Sequence, residues 1–155
     1  MIVETDRDFL ASLSSYLTDE GYSVFVARNS RQVKRILSKN KIDVVVLGMI
    51  NLKRAALSLL KWVKKRRHQI EVILINTREQ LSLSIEGMKL GAFDDLLVPV
   101  DLVSLEECLK KAWTAKESKG IDGPFINRYQ RMMVAATYAE ANDHAYAVKV
   151  LNKES

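Results

Sequence analysis

The stretch Ile42-Asp43-Val44-Val45-Val46-Leu47-Gly48-Met49-Ile50-Asn51 constrains the fold more than any other part of the chain. Val44 to Leu47 is an unbroken apolar run, mostly β-branched, bounded by turn-type residues. A run that short and that apolar reads as a strand buried on both faces, as in a parallel sheet covered by helices. In open α/β sheets the chemistry usually sits just beyond the carboxyl ends of the strands. Here that position is Gly48, which has no side chain.

The residues on either side repeat the same alternation. Met1 to Glu4 reads as a first strand, and Phe9, Leu10, Leu13 and Leu17 recur at helical spacing up to a stop at Gly21. Tyr22 to Ala27 reads as a second strand, and Ser30 can cap a helix with Val33, Ile36 and Leu37 inward. After the central strand, Lys53 to Lys65 predicts a third helix facing inward through Ala56, Leu59, Leu60 and Val63. Val72 to Ile75 is a second wholly apolar strand. Leu81 to Leu90 predicts a helix with Leu81, Ile85 and Met88 inward, ended by Gly91. Asp95 to Val98 predicts a strand stopped by Pro99. The S-x-x-E pattern from Ser104 to Glu107 predicts a capping box opening a fifth helix, with Leu105, Leu109, Ala112 and Trp113 inward. Five strand–helix alternations imply a doubly wound, five-stranded parallel sheet with helices on both faces. The expected boundaries are a domain over 1–116, a linker over 117–124 and a helical hairpin over 125–155.

Composition sets outer limits. The 155 residues carry 24 Lys and Arg against 19 acidic residues, a net charge of +5 that permits anionic partners without requiring them. A single cysteine, Cys108, excludes an internal disulfide and, alone, a structural zinc site. No run of about 18 apolar residues suggests a membrane span, and acidic residues by Glu4 argue against a signal peptide. A reduced, cytoplasmic setting is therefore the expectation. Nucleophile–base pairs, Gly-rich phosphate loops and zinc-ligand spacings are absent from the sequence, so neither a cofactor nor catalysis is expected. His68 and His144 are too isolated for a metal site.

The stretch from Met1 to about Ala115 resembles the receiver domain of bacterial response regulators, the CheY-like (flavodoxin-like) fold. Phe9-Leu10, Gly21-Tyr22, Asp43 to Leu47 and Pro99-Val100-Asp101 carry the likeness. Met88-Lys89-Leu90-Gly91-Ala92-Phe93-Asp94 is its most specific part. The resemblance implies metal-assisted phosphoryl transfer onto an aspartate ending the third strand. Two acidic residues after the first strand would hold Mg²⁺, and a hydroxyl and a lysine would contact the phosphoryl group. At the matching positions stand Gly48 for the acceptor, Val98 for the lysine and Asn76 for the hydroxyl, with Thr77 one residue away. The acidic pair is Glu4 and Thr5, so Glu4, with Asp6, reads as the remnant of an acidic pocket, and Asp95 replaces the usual aromatic of the fifth strand. Without a carboxylate at 48 no acyl phosphate can form, so the sequence reads as a degenerate pseudo-receiver acting through protein contacts.

Two further features bear on partners. Lys61 to His68 is a basic run, and Arg28, Arg31, Lys34, Arg35 and Lys39 make a second basic helix face. Neighbouring second and third helices would merge them, which makes a nucleic-acid-associated regulator the alternative reading. The tail is similar in spacing to one tetratricopeptide-like hairpin, through Ala135, Tyr138, Ala147 and Leu151. In many receivers the fourth helix, fifth strand and fifth helix form the partner face. Leu97, Leu109 and Trp113 there, and Tyr129, Met132 and Met133 in the tail, are the expected contacts to a signalling protein or a second copy.

Overall fold

The computed structural model describes residues 1–121, with side chains described as far as Glu117. The rest of the expected linker and the expected hairpin, with Tyr129, Met132 and Met133, lie outside the described residues. The described elements are β1 (Ile2–Val3), α1 (Arg7–Asp19), β2 (Val26–Ala27), α2 (Ser30–Lys39), β3 (Val44–Gly48) and α3 (Arg54–Arg66). They continue with β4 (Glu71–Asn76), a 3-10 turn (Arg78–Gln80), α4 (Leu81–Lys89), β5 (Asp94–Leu97) and α5 (Leu102–Ile121). All strands pair in parallel in the order β2-β1-β3-β4-β5. This is the doubly wound, CheY-like topology expected from the sequence.

The unbroken apolar runs have a direct cause. Alternate side chains of β3 and β4 enter two separate cores. Val45, Leu47, Val72 and Leu74 face α2 and α3, packing against Val33, Leu37, Leu60 and Val63. Val46, Ile73 and Ile75 face α1 and α5, packing against Leu10, Leu13, Leu105 and Ala112. At about 25 cal/mol per Å² of apolar surface, this two-sided burial is the main force holding the sheet.

Several details differ from the sequence reading. β2 is two residues long, because Tyr22 and Val24 leave the strand to pack against the α1–α5 core. Asn29, not Ser30, caps α2, accepting from the Gln32 N–H at 3.0 Å. Asp101, not Ser104, caps α5, and its Oδ2 accepts from both the Ser104 N–H and the Ser104 hydroxyl.

The α4 face is turned from the expected one. Leu81, Ile85 and Met88 are 62%, 48% and 39% exposed, while Ser84 and Gly87 are buried. Gly87 explains the rotation, since a Cβ there would lie 2.4 Å from Leu74 Cδ1, so only glycine allows this close approach. Trp113 is likewise outward, at 53% exposure. The α5 backbone runs on to Ile121, past the start of the expected linker. One glycine, Gly120, costs a helix only about 1 kcal/mol, and Lys116 to Lys119 are tolerated in helices.

Candidate functional site

The C-terminal ends of β1, β3 and β4 converge where a doubly wound sheet places its chemistry. Glu4 follows β1 directly and is 2% exposed. Its Oε1 accepts from the backbone N–H groups of Thr5 (2.6 Å) and Asp6 (3.0 Å), and from Asn51 Nδ2 (3.3 Å). Its Oε2 is buried without a hydrogen-bond partner among the described residues.

That second oxygen points at the end of β3. A Cβ built on Gly48 would lie 1.8 Å from Glu4 Oε2 and 2.8 Å from Glu4 Cδ. The carboxylate of Glu4 therefore occupies the space that any side chain at position 48 would need. Gly48 is more than a position without an acceptor, because the gap it leaves is filled.

Asp6, expected beside Glu4 in a remnant acidic pocket, is elsewhere. Its Oδ1 caps α1, accepting from the N–H groups of Asp8 (3.0 Å) and Phe9 (2.9 Å), and the residue is exposed. The Mg²⁺ that the resemblance implies therefore meets a poor donor set. One Glu4 oxygen is held by Thr5, Asp6 and Asn51, the other faces Gly48, and Thr5 supplies no carboxylate. Mg²⁺ prefers near-ideal octahedral oxygen geometry, usually through one or two carboxylates and a substrate phosphate. The residues present do not fit that ion, and no step is derived through it.

The hydroxyl and lysine positions lie beside this pocket. Asn76 ends β4, fully buried, and its carbonyl accepts from the Val98 N–H at 2.9 Å. Thr77 lies in the turn after β4 and its hydroxyl engages Glu79. Val98 packs into the α1–α5 core and presents no cation. Asp95 is drawn into a polar cluster under α4. Its Oδ2 accepts from the Ser84 hydroxyl at 2.5 Å and from Asn76 Nδ2 at 3.4 Å. Asn51 and Ser84 are the members of this arrangement that the sequence reading missed. Neither stood out in the sequence: Ser84 is one of four polar residues in α4, with Ser82, Glu86 and Lys89.

The expected partner residues that lie among the described residues, Leu97, Leu109 and Trp113, do not form one surface. Leu109 is only 7% exposed and belongs to the α1–α5 core, so it cannot be a contact residue while α5 stays seated. With Trp113, Tyr22 and Met1 it lines a cleft of about 570 Å³ at the N-terminal end of the sheet. Leu97 lies at the other end, paired with Asn76, and is 43% exposed. Leu102 and Val103 are also exposed, so the α4–β5–α5 edge carries uncovered apolar side chains near the C-terminal end of β5.

Comparisons with known proteins agree with this architecture. The response regulator receiver domain matches residues 1–110. The transcriptional regulatory protein ZraR of Escherichia coli K12 is 25% identical over 139 residues, covering 90% of this chain and 32% of ZraR. The response regulator protein PilR of Pseudomonas aeruginosa is 27% identical over 128 residues, covering 83% of this chain and 29% of PilR. The chain thus spans about a third of the length of these relatives. Among solved structures, the signal receiver domain of an HD domain-containing protein from Pseudomonas fluorescens superposes with a TM-score of 0.73 at 20% identity, covering 79% of this chain and 90% of that one. A receiver domain protein from Clostridium thermocellum gives a TM-score of 0.69 at 26% identity, covering 75% and 94%. With the match running through more than half its length, the chain belongs to the response regulator receiver domain family.

Proposed function

We propose that the chain is a non-catalytic, phosphorylation-independent receiver module that works by contact with a signalling protein in the cytoplasm. The observation that carries this reading is the Glu4 carboxylate, 1.8 Å from where a Cβ at position 48 would stand. An acceptor carboxylate is absent there and its space is taken by an anion, which would repel an incoming phosphoryl group. The switching machinery is replaced as well. Val98 stands where a cation would neutralise phosphoryl charge, and Asn76, Ser84 and Asp95 are joined by hydrogen bonds that need no phosphate. The contact would be made through the exposed apolar side chains of the α4–β5–α5 edge, among them Leu97, Ile85 and Met88.

The test is intact mass after incubation with acetyl phosphate and Mg²⁺. The reading expects no phosphoryl adduct. A stoichiometric, hydroxylamine-labile adduct would overturn it.

A further inference from the structure

The chain's charge is concentrated in one region. Residues 28–70 hold thirteen of the 24 Lys and Arg residues and, in Asp43, one of the 19 acidic residues. The fold gathers that stretch onto one face. Lys34 on α2 lies 5.4 Å from the centroid of the Trp62 ring on α3, and the Arg66 guanidinium lies 5.3 Å from it. α2 and α3 are therefore neighbours, and their two basic runs are one surface about 20 Å long at 1.5 Å per helical residue.

Helix stability does not account for it. Cations in a last turn are favoured by the helix dipole. The first turns of α2 and α3, however, hold no acidic residue, and Arg31 and Arg54 stand there against the dipole. Nor are the charges matched in pairs. Lys64 bonds Glu71 at 3.0 Å and Lys116 bonds Asp43. Arg31, Arg35, Lys39, Lys61, Lys65 and Arg67 have no carboxylate partner among the described residues.

The surface ends in a cleft of about 500 Å³, where Lys39, Lys41, Arg66 and Arg67 converge beside Lys116, the partner of Asp43, and no acidic residue is among the lining residues. Two helix C-termini, worth roughly half a negative charge each, cannot balance that many cations. Self-repulsion of this size is a cost that an anionic ligand would relieve.

We propose that the α2–α3 face binds the phosphate backbone of a nucleic acid without reading its bases. A protein partner is disfavoured because α2 and α3 expose no large apolar side chain that could anchor an interface. Trp62, the one aromatic of the face, is half-buried and already carries Lys34 and Arg66 over its ring. A row of cations without apolar anchors fits a ligand whose charges repeat at regular spacing. This contact is separate from the α4–β5–α5 edge and from the pocket around Gly48.

The test is fluorescence anisotropy of the full chain with a labelled 20-base-pair duplex at several salt concentrations. Contact with four or five phosphates gives a slope of log K against log salt of about −4. Replacing Lys39, Lys41, Arg66 and Arg67 together with Ala should weaken binding at least tenfold and flatten the slope by about 3. All four side chains are exposed, so far-UV spectrum and melting temperature should be retained. A control replacing Arg7, Lys89 and Lys111, which lie off this face, should bind as the parent does. Absence of binding at low salt, or equal loss in the control, would overturn the proposal. So would tighter binding of polyglutamate, which assigns the face to an acidic protein. Binding of inorganic pyrophosphate without binding of the duplex would assign it to a small anion and also overturn it.

Discussion

Substituting Gly48 by Ala probes the filled gap directly. The added Cβ would stand 1.8 Å from Glu4 Oε2, so the carboxylate must leave. The severe clash is with the end of a flexible side chain, and the Val3 carbonyl oxygen, 3.3 Å from the same Cβ, must yield only slightly. Leaving costs Glu4 its bonds from the Thr5 and Asp6 N–H groups and from Asn51. Bonds to a charged group contribute about 1.5–3 kcal/mol each. Thr5 is half-buried and Asp6 exposed, so water can replace part of what Glu4 gave them. With about 1 kcal/mol or more for overpacking, the expected loss is about 2 kcal/mol, or roughly 4–8 °C in Tm for a chain of this size.

The decisive comparison is the double-mutant cycle with Glu4→Ala, followed by thermal and urea unfolding. With the carboxylate gone, Gly48→Ala should cost under about 0.5 kcal/mol, a coupling of about 1.5 kcal/mol. Equal losses in both backgrounds would refute the claim that Glu4 occupies the space above Gly48.

Three other outcomes are expected. Gly48→Asp alone should not create a phosphorylatable protein, since Thr5 and Val98 still leave the second acidic residue and the lysine missing; Gly48→Asp with Thr5→Asp and Val98→Lys is the least set that could show an adduct by intact mass. The Cys108 thiol is pushed up to about 12, first by burial and then by the Asp94 carboxylate. It should resist a disulfide reagent at pH 8 until the protein is unfolded, then react once. The Glu106 carboxyl is held below its ordinary value, chiefly by the Tyr16 hydroxyl and then by Lys110. A lowered carboxyl pKa stabilises the fold above the ordinary glutamate value and loses that effect as pH falls through the lowered one. Tyr16→Phe should therefore lower Tm at neutral pH and differ less from the parent in acid, read by melts from pH 3 to 7.

Elements buried on both faces were the most legible in the sequence. β3 and β4 announce themselves because every residue must be apolar when alternate side chains enter different cores. α4 was misread for a specific reason. Its apolar residues repeat at helical spacing, but Gly87 and Ser84 set the buried side through a close approach to Leu74 and a hydrogen bond to Asp95. Periodicity weighs side chains by hydropathy and cannot see a contact that needs the absence of one. The residues at the candidate site were legible one by one through the resemblance, yet their arrangement was not. That Glu4 reaches across to the gap at Gly48, while Asp6 turns away to cap α1, depends on side-chain directions that no spacing encodes.

The central claim is that this receiver is held in one conformation that phosphodonors do not change. The most direct measurement is the amide ¹H–¹⁵N correlation spectrum with and without acetyl phosphate and Mg²⁺, using Gly48, Ser84, Asp95 and Leu97 as reporters. The account expects these resonances to keep their positions apart from small salt effects. A second set of peaks for Ser84, Asp95 and Leu97 on adding the phosphodonor would show a switch between two states and contradict it.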